Sequence, residues 1–219
     1  MPTESFKLGD ILRAMASSLA TPVVAILLAL LLGAVMLLGW VIAEYFYERR
    51  YLKVKLPRLL DELRSGAGSM KQIISNSGLL KSQKSIIIEL TLHPEFNETM
   101  LEALAVRLIE QEQAKYDRIL RYSELIARLG PMVGLLGTLI PLGPGILALG
   151  QGDTFALSAA LLTAFDTTIA GLSAAAVSTV ISTVRRAWYK DYMSLLEALA
   201  SCVLELLKQE ANRYEKTDG

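Results

Sequence analysis

The sequence predicts an all-α membrane protein with three transmembrane helices and long cytoplasmic helical extensions. Three observations lead there. The 219-residue chain is 53% hydrophobic, too apolar for an ordinary soluble domain of this size, yet 20% of its residues are charged and must sit somewhere wet. Those charges are segregated: uncharged stretches run from Ala14 to Ala43, from Leu129 to Gly152 and from Thr154 to Val184, the last interrupted only by Asp166. A helix needs about 20 apolar residues to cross about 30 Å of hydrocarbon, and all three stretches meet that length. Finally, Lys and Arg collect between the first and second stretches and after the third.

In chain order, residues 1–20 read as an extracytoplasmic amphipathic segment, with Phe6, Leu8, Ile11, Leu12 and Met15 set against Lys7, Asp10 and Arg13. Residues 21–44 form the first span, opened by Pro22, with Trp40 inside it and Tyr45, Phe46 and Tyr47 following as a headgroup belt. This run is longer than a signal-peptide core, and no small-residue cleavage site follows it, so it is read as a retained anchor. Residues 45–128 form a cytoplasmic helical region. Within it, Lys53 to Leu63 reads as helix, the stretch from Arg64 to Ser69 breaks it, and shorter helices follow around Ile73–Ile74 and Ile86–Leu92. Asn97 is placed to cap a helix that meets no breaker before Gly130.

Residues 129–150 form the second span, residues 151–154 an extracytoplasmic turn and residues 155–184 the third span. The helix then continues through 185–219, with Trp188, Tyr192, Leu195, Leu199, Cys202 and Leu206 in a 4,3,4,3,4 spacing that marks a coiled-coil-like seam. The basic excess in 44–128 and in the tail places both in the cytoplasm, with the N-terminus and the turn outside. The single cysteine, Cys202, allows no intramolecular disulfide and is read as a core position; the single histidine, His93, sits in a loop before Pro94. No metal site, cofactor or nucleic-acid partner is expected, and membrane lipid is. Without paired acids, a Cys/His set or a nucleotide loop, an enzyme is not expected either.

The chemistry concentrates in the second and third spans. Gly134 and Gly137, one turn apart, let helices approach closely, and Gly171 does the same on the third span. Pro141 and Pro144 remove backbone donors, which predicts a kinked or locally unwound helix whose freed carbonyls face protein or a wet cavity. On the third span Thr163, Asp166, Thr167 and Ala170 share one helical face, extended by Ser173, Ala174 and Val177. Hydroxyls there can simply back-bond to their own helix. A carboxylate cannot be dismissed so, because at bilayer depth it costs several kcal/mol unless paired, hydrated or protonated. Asp166 therefore points to ion or proton movement.

The stretches Gly134-Leu135-Leu136-Gly137-Thr138 and Thr167-Thr168-Ile169-Ala170-Gly171-Leu172-Ser173-Ala174-Ala175, with an N-out three-span layout and long cytoplasmic helices, resemble the MotA/TolQ/ExbB proton channel family. The resemblance covers about residues 115–205. It maps the family's second-span threonine onto Thr138 and its pore threonine onto Thr168. The acid that many members carry five residues earlier falls on Thr163 here, with Asp166 in the adjacent turn as a substitute. The resemblance implies a homopentamer around a dimer of a single-span MotB/TolR/ExbD-like partner, in the cell inner membrane, turning ion flow into rotation or mechanical work. The ion is read as H⁺ rather than Na⁺, since the stripe offers few oxygen ligands. A passive membrane scaffold and an autonomous channel or transporter stand as the alternatives.

Overall fold

The computed structural model describes residues 18–46, 70–93 and 96–215, together with Ile11, Ala14, Met15, Leu59, Asp61 and Glu62; the side chains at 70, 71 and 210–215 are excepted. The amphipathic segment before residue 18, the helix from Lys53 to Leu63 and the breaker that follows it fall largely outside those residues. Five helices are described: α1 (Ala20–Glu44), α2 (Met70–Asn76), α3 (Lys81–Leu90), α4 (Glu98–Gly150) and α5 (Thr154–Glu215). No strand occurs among the described residues. α1, α4 and α5 are each long and apolar enough to cross a membrane.

Local chemistry sets the helix ends. Pro22 lies in the first turn of α1, where its fixed φ suits the helix. Asn97 Oδ1 accepts from the Met100 amide at 2.9 Å, and Glu98 in the first turn faces the positive end of the α4 dipole. α4 then runs unbroken for 53 residues through Pro131, Pro141 and Pro144. Of the two forms anticipated at Pro141 and Pro144, kinked or locally unwound, the unwound one does not occur: proline removes a donor, but its fixed φ is itself helical, so the helical path continues. At the far end of α4 the amides of Gln151, Gly152 and Asp153 turn back onto the Ala148 and Leu149 carbonyls at 2.9–3.0 Å. Gly152 takes φ +83°, a conformation that only glycine adopts cheaply. Asp153 Oδ1 accepts from the Ala156 amide at 2.9 Å and so caps α5.

The described chain forms two compact units, one from residues up to 41 with 121–183, the other from 42–120 with 184–219. In the first, Val23 and Leu27 of α1 pack on Val133 of α4, while α4 meets α5 through glycines. In the second, Ile74, Leu79, Ile86, Ile87 and Leu90 close over Ala105 and over Leu196, Leu199, Ala200 and Val203 of α5. Gln83 holds this layer in register: its amide oxygen accepts from the Leu80 amide, and its Nε2 donates to the Tyr192 carbonyl at 3.1 Å. The α5 seam keeps Trp188, Tyr192 and Leu199 of the heptad spacing and widens to take in Leu196 and Val203. Tyr192, Leu196, Leu199 and Val203 form its centre, and Leu195, Cys202 and Leu206 flank it, Cys202 only half-buried. α5 is covered from two sides here, by the α2–α3 layer and by α4, so its apolar face is wider than a two-helix seam.

Candidate functional site

Four glycines bring the α4 and α5 backbones together. A Cβ at Gly171 would stand 2.5 Å from the Gly130 carbonyl oxygen, and one at Gly130 would stand 2.6 Å from the Gly171 oxygen. At Gly134 the nearest atoms are backbone of Thr167, Thr168 and Gly171, and a Cβ at Gly137 would meet Thr167 Cβ at 2.6 Å. Between apolar helices in lipid, contact of this kind is what favours association. It also fixes the level of the two helices, setting Thr167 beside Gly137.

Of the ion-path residues proposed from sequence, Thr167 is therefore the one buried in this contact, at 8% exposure. Every hydroxyl in the set donates within its own helix: Thr138 to the Leu135 carbonyl at 2.7 Å, Thr163 to Ala159 at 3.0 Å, Thr168 to Ala164 at 3.0 Å, and Thr167 to both Thr163 and Ala164. Their donors are spent, and their remaining lone pairs make them acceptors only. Asp166 is exposed and has no hydrogen-bond or ion-pair partner among the described residues.

The buried contact divides the polar stripe. At about 100° per residue, Asp166 lies about 140° round α5 from Gly171, while Thr168 lies about 60° from Gly171 on the other side. Thr163 and Thr167 border a cleft of about 900 Å³ shared with Val23 and Val24 of α1 and Ile140 of α4, and its lining is almost wholly hydrocarbon. Thr138 and Thr168 lie elsewhere. Thr138 is about 140° round α4 from Val133, the residue that meets α1, and both threonines are half-buried. The chain thus presents two separate polar flanks: Thr138 with Thr168 on one, and Asp166 with Thr163 and Ser173 on the other. The single face read from sequence merged Thr167, which is buried, with residues that are not.

A second constellation was missed. Glu44, the last residue of α1, accepts from Arg185 Nε at 3.0 Å and Nη2 at 2.7 Å through Oε2, and from the Tyr189 hydroxyl at 3.1 Å through Oε1. The Arg185 side chain is 0% exposed and that of Glu44 10%. Tyr189 stacks on Tyr116 of α4 with ring centroids 4.4 Å apart. Burial first, and then the neighbouring carboxylate, pushes the Tyr189 phenol above the usual tyrosine range, against a smaller opposing effect of Arg185. Sequence reading counted Arg185 only as an orienting cation. The available signal was an acid directly after the first apolar run and a base directly after the third, at matching ends of two spans.

Among the described residues no three metal-ligating side chains converge. No curated protein matches the chain. A family model does, over residues 81–198, which is more than half of the sequence and takes in α3, all of α4, the turn, and α5 past Arg185. With a glycine-packed α4–α5 hairpin at its centre and both threonine-bearing stretches inside the matched segment, the chain belongs to the MotA/TolQ/ExbB proton channel family.

Proposed function

We propose that this protein is the A-type subunit of a proton-motive-force-driven membrane motor, non-enzymatic, in which a pentamer encloses a dimer of a single-span partner and turns ion flow into rotation or other work. In this reading the N-terminus and the turn at 151–154 lie on the extracytoplasmic side of the cell inner membrane, and the region 45–128 and the tail lie in the cytoplasm. The observation that carries this reading is the shared flank of Thr138 and Thr168, two hydroxyls on adjacent helices turned away from α1. With their protons donated to carbonyls, they offer lone pairs to a proton carried by an acid on the partner. H⁺ suits such a wall better than Na⁺, which demands several oxygen ligands at once. Each charge moved through 100 mV releases about 2.3 kcal/mol, so a few per step suffice to drive a packed interface past its barriers.

Proton flux into vesicles containing this chain and its partner tests the proposal. Thr168→Val and Asp166→Asn leave the assembled mass unchanged and lower partner-dependent flux. Normal flux from both variants overturns the ion path, and a native mass corresponding to a passive dimer overturns the motor.

A further inference from the structure

We propose that the cleft between α1, α4 and α5 is a binding site for one acyl chain of a bilayer phospholipid, taken from the leaflet on the side of the 151–153 turn. The site recognises the tail and is indifferent to the headgroup. It needs neither a ring nor a partner protein.

The cleft is a space that the side chains leave unfilled. It holds about 900 Å³, near the top of the range of about 300–1,000 Å³ that ligand sites occupy. Protein interiors are close-packed and leave few voids larger than a water molecule, so a gap of this size calls for an occupant. Small residues make it. Ala20 stands on the α1 wall, and a Cβ at Gly143 on the α4 wall would meet nothing within 4 Å.

Water does not suit the lining. A buried water needs two to four polar partners. Among the described residues that border the cleft, none is charged, and the only hydroxyls are those of Thr163 and Thr167, which already donate within α5. Pro141 and Pro144, on the α4 wall, supply no amide donor. A hydrocarbon chain asks for no such partner and regains the contacts that an empty gap forfeits.

Position identifies the source. The α4 wall runs from Leu136 to Leu147, about 16 Å along the helix at about 1.5 Å per residue. That is about half of the 30 Å of hydrocarbon in a bilayer, the depth of one leaflet. The wall's outer end approaches the turn at 151–153, and its inner end reaches the Gly137–Thr167 contact. The mouth is continuous with the membrane-facing surface: Val24 borders the cleft, and Leu28 and Val35, within about 40° of it round α1, are more than half exposed. A tail can therefore enter sideways from the bilayer without crossing a polar barrier.

Native mass spectrometry tests this on the full chain, washed free of lipid in detergent and then titrated with phosphatidylcholine or phosphatidylglycerol bearing the same chains. Thermal unfolding is the second readout. One phospholipid per chain is expected to be retained from either headgroup, with an unfolding temperature that rises with lipid concentration. Gly143→Phe projects a ring into the cleft, so it retains one lipid fewer and loses the rise. Gly39→Phe, whose surroundings are equally open but lie outside the cleft, behaves like the unaltered chain. Undiminished retention by Gly143→Phe overturns the site. So does retention of phosphatidylglycerol alone, which means a charged headgroup contact. An unfolding temperature that lipid leaves unchanged also overturns it, and means that another part of the chain or a second copy fills the cleft. Should Gly143→Phe fail to insert, the smaller Gly143→Leu is read in its place with the same outcomes.

Discussion

Glu44 and Arg185 are each modest in sequence and costly in place. Removal of one partner from a buried ion pair leaves the other charge stranded, so Glu44→Ala is expected to lower stability by about 3 kcal/mol, read from thermal unfolding in detergent. Arg185→Lys keeps the charge but loses the two-pronged geometry, and its loss should be smaller. Tyr189 adds a pH dependence. Its phenol keeps its proton in the folded state at a pH where the unfolded chain has released it, so its stabilising effect is complete below about pH 10, the ordinary tyrosine value, and fades as pH rises above that. Tyr189→Phe should flatten the alkaline arm of a stability-against-pH curve. At this scale the sequence was least legible. Charge counting marks Arg185 as a topological signal, but its bond with a residue 141 positions away depends on tertiary packing. Back-bonding of the third-span hydroxyls was one of the two readings the sequence offered, since it is a local property of Ser and Thr in helices.

Among the elements, the α4–α5 hairpin depends most on residues without side chains. Gly171→Ala would drive a methyl into the Gly130 carbonyl, which is backbone and cannot swing aside; the helices must separate, at a cost of about 1–3 kcal/mol. Gly137→Ala meets Thr167, a side chain, and should cost less. Gly39→Ala has nothing within 4 Å and is the control, unchanged or about 1 kcal/mol more stable in the same unfolding assay because alanine favours a helix over glycine. Here sequence carried further. Uncharged length marks the helices, glycine spacing marks a close approach, and Asn97 reads as a cap because its side chain acts on its own helix. Trp188, Tyr192 and Leu199 of the expected α5 seam are buried, whereas Leu196 and Val203 take the centre in place of Leu195 and Cys202, because a 4,3 spacing assumes a single partner and α5 has two.

For the whole molecule, the exposed hydrocarbon in the spans settles its solvent. Met36 is 76% exposed and Phe155 84%, surfaces that water would not leave bare. The protein should stay in the membrane pellet after an alkaline carbonate wash and come out only with detergent. That a membrane chain was at hand could be read from composition alone, whereas the division of the polar residues into two flanks could not, because it follows from which face of α5 the glycines bury. The ion pair at Glu44 has a last consequence, for biosynthesis. The acid leaves the ribosome early and its base arrives only after 141 more residues. A stalled or truncated translation product that ends before Arg185 therefore carries the Glu44 carboxylate without its cation at the end of its first helix.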